Sequence, residues 1–224
     1  EITLTGNGQQ VLIETSSRSL QLKAQGTINE PPGDINLTVV AESTTLEAIG
    51  QCFDVKLPDQ PTRVSTIVTK KGNLISLSKL HFDSDVAQIN GLANIQLAPE
   101  LSFDTTLDIS VPNARDLADG LLEDPGSVRA FPFESSLAMH GSEKLLQLDD
   151  FAISSGKHTG RASGSIGEAF TWHGLDLELT LSGEDLRHLF TDAERKVSQV
   201  KPYSLSPILK NQQGTWVVEQ LNAS

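Results

Sequence analysis

The side chains that could do chemistry are few, and they lie far apart in the chain. Histidines stand only at His81, His140, His158, His173 and His188. His158 and His173 would approach one another across a hairpin beside Asp176, a nitrogen and oxygen donor set of the kind that holds zinc. Histidine at strand ends is more commonly a solvated surface residue, and that is the expectation here. Gly156-Lys157-His158-Thr159-Gly160 has the glycines and lysine of a phosphate loop. It lacks the glycine five positions earlier and the hydroxyl residue directly after the lysine, so it reads as a turn. Asp149-Asp150 and Asp83 with Asp85 are paired carboxylates, as general acid–base chemistry requires. They recur at matching positions of a repeat, which favours a structural or surface role. Cys52 is the only cysteine, so neither an internal disulfide nor a thiolate metal cluster can form. Asn36-Leu37-Thr38 and Asn222-Ala223-Ser224 are formal glycosylation sequons of a length that arises by chance. No nucleophile stands beside a base in any of these groups. The expectation is a protein that is not an enzyme and uses no cofactor or metal.

Charge narrows the partners. The 224 residues carry a formal net charge of −12 with no basic cluster, which excludes nucleic acid as a natural partner. The same balance argues against electrostatic docking on anionic lipid. No apolar run approaches the roughly eighteen residues of a membrane span. The opening Glu1-Ile2-Thr3-Leu4-Thr5-Gly6 is already in strand alternation, and the chain reads as a segment of a longer protein. Leu, Ile, Val, Ser, Thr and Gly dominate, a composition for strands and turns.

The elements show their pattern most plainly from residue 101 to 111. Leu101, Phe103, Leu107, Ile109 and Val111 alternate with Ser102, Asp104, Thr106, Asp108 and Ser110, and only Thr105 breaks the apolar side. That is one half-buried strand with an oily face and a wet one. Cap-like helix starts follow at Thr44 with Glu47, Asn113 with Asp116 and Ser182 with Asp185, each set 69 residues after the last. Gly72 and Gly141, and Gly91 and Gly160, keep the same interval. The run Leu77 to Ser84 resembles Leu148 to Ser155. The chain is therefore an array. Residues 1–50 form an incomplete unit ending in a short helix, 51–121 and 122–197 form full β units each with a helix, and 198–224 begin another. In the last full unit the strands are expected near 129–140, 143–154, 158–167 and 170–181, joined by tight turns.

The fold class that follows is mainly β: a repeat array of antiparallel strands with short helices between units, forming an elongated, curled groove. A 69-residue unit of hairpins fits a narrow solenoid poorly, since those repeat every 20–30 residues or so. The pattern from Leu148-Asp149-Asp150-Phe151 through Gly160 to Leu186-Arg187-His188-Leu189 resembles the AsmA-like proteins of Gram-negative envelopes. That resemblance implies a repeating β-groove and a periplasmic location, with an inner-membrane anchor ahead of this segment. It implies phospholipid as the partner, envelope proteins at the outer membrane as further partners, and passive lipid transport that maintains outer-membrane integrity. It carries over no catalytic residue.

The residues expected to line the groove are Leu101, Phe103, Leu107, Ile109, Val111, Phe131, Phe133, Leu137, Met139, Leu175, Leu177, Leu179 and Leu181. Their role would be to shield acyl chains. The alternative is a structural β-repeat, an envelope stalk, adhesin or scaffold with a filled interior. Phe103, Phe131, Phe133, Phe170, Trp172 and Trp216 could plug such an interior as readily as line a groove.

Overall fold

A computed structural model describes residues 2–6, 10–17, 19–29, 33–45, 60–121, 128–142, 144–167, 174–185, 202–212 and 215–223. Among the described residues fourteen strands form one sheet in sequence order, every neighbour antiparallel, with β1 and β14 at its open edges. The first four are β1 (Ile2–Gly6), β2 (Gln10–Ser16), β3 (Leu20–Ile28) and β4 (Ile35–Ser43). The next four are β5 (Thr62–Lys71), β6 (Leu74–Ser84), β7 (Gln88–Gln96) and β8 (Ser102–Val111). After the helix α1 (Ala114–Leu121) come β9 (Phe133–Ser142), β10 (Leu145–Ser155), β11 (His158–Gly167) and β12 (Leu175–Gly183). β13 (Tyr203–Gln212) and β14 (Thr215–Ala223) complete the sheet.

Tight turns need residues that tolerate positive φ, and Gly72 between β5 and β6 and Gly156 between β10 and β11 supply it at 56° and 57°. An antiparallel meander puts the links after odd strands on one rim and those after even strands on the other. The three longest links, from Ser43 to Thr62, Val111 to Phe133 and Gly183 to Tyr203, therefore share one rim. Each follows a fourth strand.

The expected strands are found with shifted ends. The run expected from Leu101 to Val111 begins pairing at Ser102. The link from β11 to β12 contains Phe170, Trp172 and His173, which lie outside the described residues. So do the helices expected to follow Thr44 and Ser182, and Cys52. Ser182 itself is still in β12, where its hydroxyl meets that of Thr159 at 2.8 Å.

α1 does start as expected. The Asn113 side-chain oxygen accepts from the Arg115 backbone N–H at 3.0 Å, and its amide donates to Asp116 at 2.8 Å. The first free amides of a helix need such an acceptor. Ala114, Leu117 and Ala118, spaced to share one helix face, turn toward the sheet, and Leu117 joins a cluster of Val86, Ala87 and Val111 with Phe82, Ile109 and Phe133. This cluster under α1 is the one concentrated core among the described residues.

Candidate functional site

Residues directly opposite one another in neighbouring strands point to the same face, so the register extends a strand's alternation across the whole sheet. The result is a set of apolar rows running perpendicular to the strands. One passes from Ile28 through Ile35, Lys70, Ile75, Ile95, Phe103, Gly141, Leu146 and Ile166 to Leu175. The next runs from Val11 through Gly26, Leu37, Val68, Leu77, Ala93, Thr105, Met139, Leu148, Gly164, Leu177 and Leu209 to Val218. A third joins Leu80, Gly91, Leu107, Leu137, Phe151, Ala162 and Leu179. A fourth joins Leu22, Ala41, Val64, Phe82, Ile89, Ile109, Ser135, Ile153, Gly160, Leu181 and Leu205.

The rows survive two irregularities. β6 bulges between Leu77 and Leu80, with Lys79 at φ 53°, and β10 bulges between Leu148 and Phe151. An extra residue at each bulge resets the alternation, so Leu80 and Phe151 return to the apolar face. Two polar interruptions are satisfied locally, whereas the buried Ser135 hydroxyl in the fourth row has no hydrogen-bond partner among the described residues. Thr105 donates its hydroxyl to the Leu92 carbonyl at 2.8 Å, and Thr66 donates to the Ser78 carbonyl at 3.1 Å within the β6 bulge.

Most of this face is half-buried, so it is covered only by the lateral contact of its own side chains. Leu107, Ile109, Phe133, Leu137, Met139, Leu177 and Leu179 all fall in that class, and Leu181 is exposed. Two residues expected in the lining are fully covered. Val111 is 1% exposed beneath α1 and Leu175 is 3% exposed, so both are core residues that present no surface. Phe131 stands ahead of β9, its carbonyl accepting from the Ala114 amide at 2.8 Å and its ring 6.5 Å from that of Phe133. It anchors the start of α1. Leu101 precedes β8 and is exposed.

The opposite face is polar and largely self-paired. Lys23 meets Glu14 at 2.9 Å, Arg63 meets Glu42 at 3.3 Å, and Lys210 meets Glu219 at 2.9 Å. His140 meets Asp149 at 2.8 Å, and His81 meets the Asn90 side chain at 2.7 Å. On the apolar side instead, just beyond the fourth row, His158 lies 3.1 Å from the Tyr203 hydroxyl with the two rings stacked. Among the described residues no group of three His, Cys, Asp or Glu side chains is arranged to hold a metal. A cavity of about 650 Å³ opens toward the long-link rim, lined by Gln21, Glu42, Arg63, Asp83 and Gln88. Within it Glu42 pairs with Arg63, and Asp83 accepts from the Gln88 amide at 3.0 Å.

Protein-family models, curated proteins and solved structures offer no match to this chain. The site therefore rests on its own geometry: a continuous apolar face with a paired polar back. No helix among the described residues is long and apolar enough to cross a membrane.

The sequence stripe named residues on β8, β9 and β12, and the register brings them into shared rows. Leu107, Leu137 and Leu179 are one example, and Thr105, Met139 and Leu177 another. Residues of β6, β7 and β10 that belong to the same rows were missed, among them Ile75, Leu77, Phe82, Ile89, Ile95, Phe151 and Ile153. In β6 and β10 the period-two signal is present but changes phase at the bulge, and in β7 it runs through the small residues Gly91 and Ala93.

Proposed function

We propose that this chain is a segment of an AsmA-like periplasmic protein whose apolar face forms a groove that shields phospholipid acyl chains during passive transport between membranes. The observation that carries the reading is the set of half-exposed, predominantly apolar rows across the sheet, interrupted by Lys70, Thr105 and Ser135. Strands at about 4.8 Å spacing make a fourteen-stranded face on the order of 60 Å long. A sixteen-carbon chain in water costs on the order of 12 kcal/mol, at about 0.8 kcal/mol per CH₂. A face of near-uniform apolarity offsets that cost evenly along its length, so the lipid meets no deep well and slides. The paired polar back faces water. No reaction is involved, and direction comes from elsewhere in the envelope assembly.

The test is organic extraction and mass spectrometry of lipid from the purified, detergent-free chain. Phospholipid at a reproducible ratio, lowered by bulky or charged substitution at Leu107 or Leu177, supports the groove. A lipid-free, stably folded chain supports the structural alternative, whose interior is filled by its own side chains. The dry cluster of Val86, Ala87 and Val111 is what such an interior would look like if it extended along the sheet.

A further inference from the structure

The four apolar rows contain one formally charged residue, and it has no counter-charge. Lys70 stands in the first row, with Ile35 directly opposite on β4 and Ile75 directly opposite on β6. It is half-buried and makes no ion pair among the described residues. Lys71, the next residue, is exposed and belongs to the polar face by the alternation of β5. Asp34 immediately precedes Ile35, so the same alternation sets it on the polar side as well. The short-link rim beside Lys70 is acidic as a whole, with Glu30, Asp34, Glu100, Glu143 and Glu168 against Lys70, Lys71 and Lys144. No field there gathers anions. What sets Lys70 apart is local: a cation without a partner at the margin of an apolar face.

We propose that Lys70 is a head-group site, holding the singly anionic head of a monomeric amphiphile whose acyl chain lies on the apolar rows. The proposal rests on the groove reading and adds to it a position and a charge for the ligand. A lysine of this kind lays its carbon stem on apolar surface and keeps its ammonium toward water. The ligand that complements it has the same build with the opposite sign. From Lys70 to Val64, β5 offers on the order of 20 Å of face at about 3.3 Å per residue. One acyl chain fills about half of the roughly 30 Å hydrocarbon core of a bilayer, so it fits between Lys70 and the fourth row. A phosphodiester and a carboxylate share the required chemistry, since either accepts N–H bonds from the ammonium as an anion. The acids of the rim work against heads that carry several negative charges, which selects a single one.

The experiment is displacement of the neutral dye Nile red from the purified chain at pH 8 by three monomeric probes of equal chain length. They are decanoate, decanoyl-lysophosphatidylglycerol and uncharged decanol, each below its micelle concentration. At least one anionic probe should bind about three- to tenfold more tightly than decanol. Lys70→Met, which removes the charge and keeps an apolar side chain, should bring that probe to the decanol value and leave decanol unchanged. Lys71→Met should change neither, and circular dichroism confirms folding of each variant. Preference for decanoate alone identifies a free fatty acid, and preference for the lysophospholipid a phospholipid head; each supports the site. Equal binding of all three probes, or an equal loss in Lys71→Met, overturns the head-group site and leaves the groove standing. No displacement by any probe overturns both.

Discussion

Thr105 shows how a polar residue is carried on an apolar face. Its hydroxyl is turned into the backbone, donating to the Leu92 carbonyl, and its methyl group stays in the row with Met139 and Leu177. Glycine does related work: at Gly91 a Cβ would come within 2.7 Å of Leu107 Cδ2, so the missing side chain is where the neighbouring leucine lies. The sharpest contrast lies two strand steps apart. Leu107 is half-buried on the open part of the face, whereas Val111 is 1% exposed beneath α1. Leu107→Asp leaves its carboxylate reachable by water and should cost on the order of 1–2 kcal/mol, with the fold retained. Val111→Asp places an unpaired charge in the one dry cluster and should cost about 3–5 kcal/mol or more. Urea unfolding of the two variants measures this. Equal and severe losses would mean the whole face is a filled core.

At the scale of elements, the last strands carry a titratable tie. Lys210 on β13 lies beside Glu219 on β14 and Asp176 on β12, and the hydrogen bond from Lys210 to Glu219, then the two carboxylate charges, raise its pKa above the ordinary lysine value. Tyr203 on β13 is also raised, by burial against its neighbours. A group whose pKa is higher when folded favours folding while protonated, and that contribution is lost as pH climbs through the folded value. The β12–β13–β14 pairing should therefore loosen from about pH 10 upward. Thermal melts of wild type and Glu219→Gln from pH 8 to 11 test this. The variant should show a smaller alkaline decline, and identical declines would remove Lys210 from the explanation. How much of these elements was legible in the sequence depended on local phase. Uninterrupted alternation in β8 and the cap at Asn113 placed strand and helix start within a residue or two, whereas the strand expected from 170 begins only at Leu175. The bulges in β6 and β10 hid the inward residues of those two strands, because one extra residue inverts every later position while leaving no mark in composition. The 69-residue interval suffered likewise. Ala41, Ile109 and Leu181 share a row, and their spacing is shorter in the first step and longer in the second. Equal sequence spacing of the caps is thus not matched by equal spacing along the rows.

At the scale of the whole molecule, the open sheet leaves folding short of buried surface. The chain exposes 14468 Å², against about 10,000 Å² for a compact protein of its 24.1 kDa mass. Relative to an extended chain that is about 60% burial, the fraction typical of a domain about a quarter as long. A single-layer sheet explains the deficit: most apolar side chains touch neighbours along the face and nothing above it. Whatever covers that face then adds directly to stability, because it binds the folded chain and has no equivalent surface on the unfolded one. A monomeric short-chain phospholipid, kept below its micelle concentration, is a cover of the right chemistry. At a hundred times its dissociation constant it would contribute about 2.7 kcal/mol, which for a chain of this length raises Tm by about 5–10 °C. Differential scanning calorimetry across a lipid titration reads the effect. A saturable rise that Leu107→Asp weakens places the binding on the apolar face. A flat Tm would mean the face is not available to lipid, and the rows would then serve only to hold the strands in register.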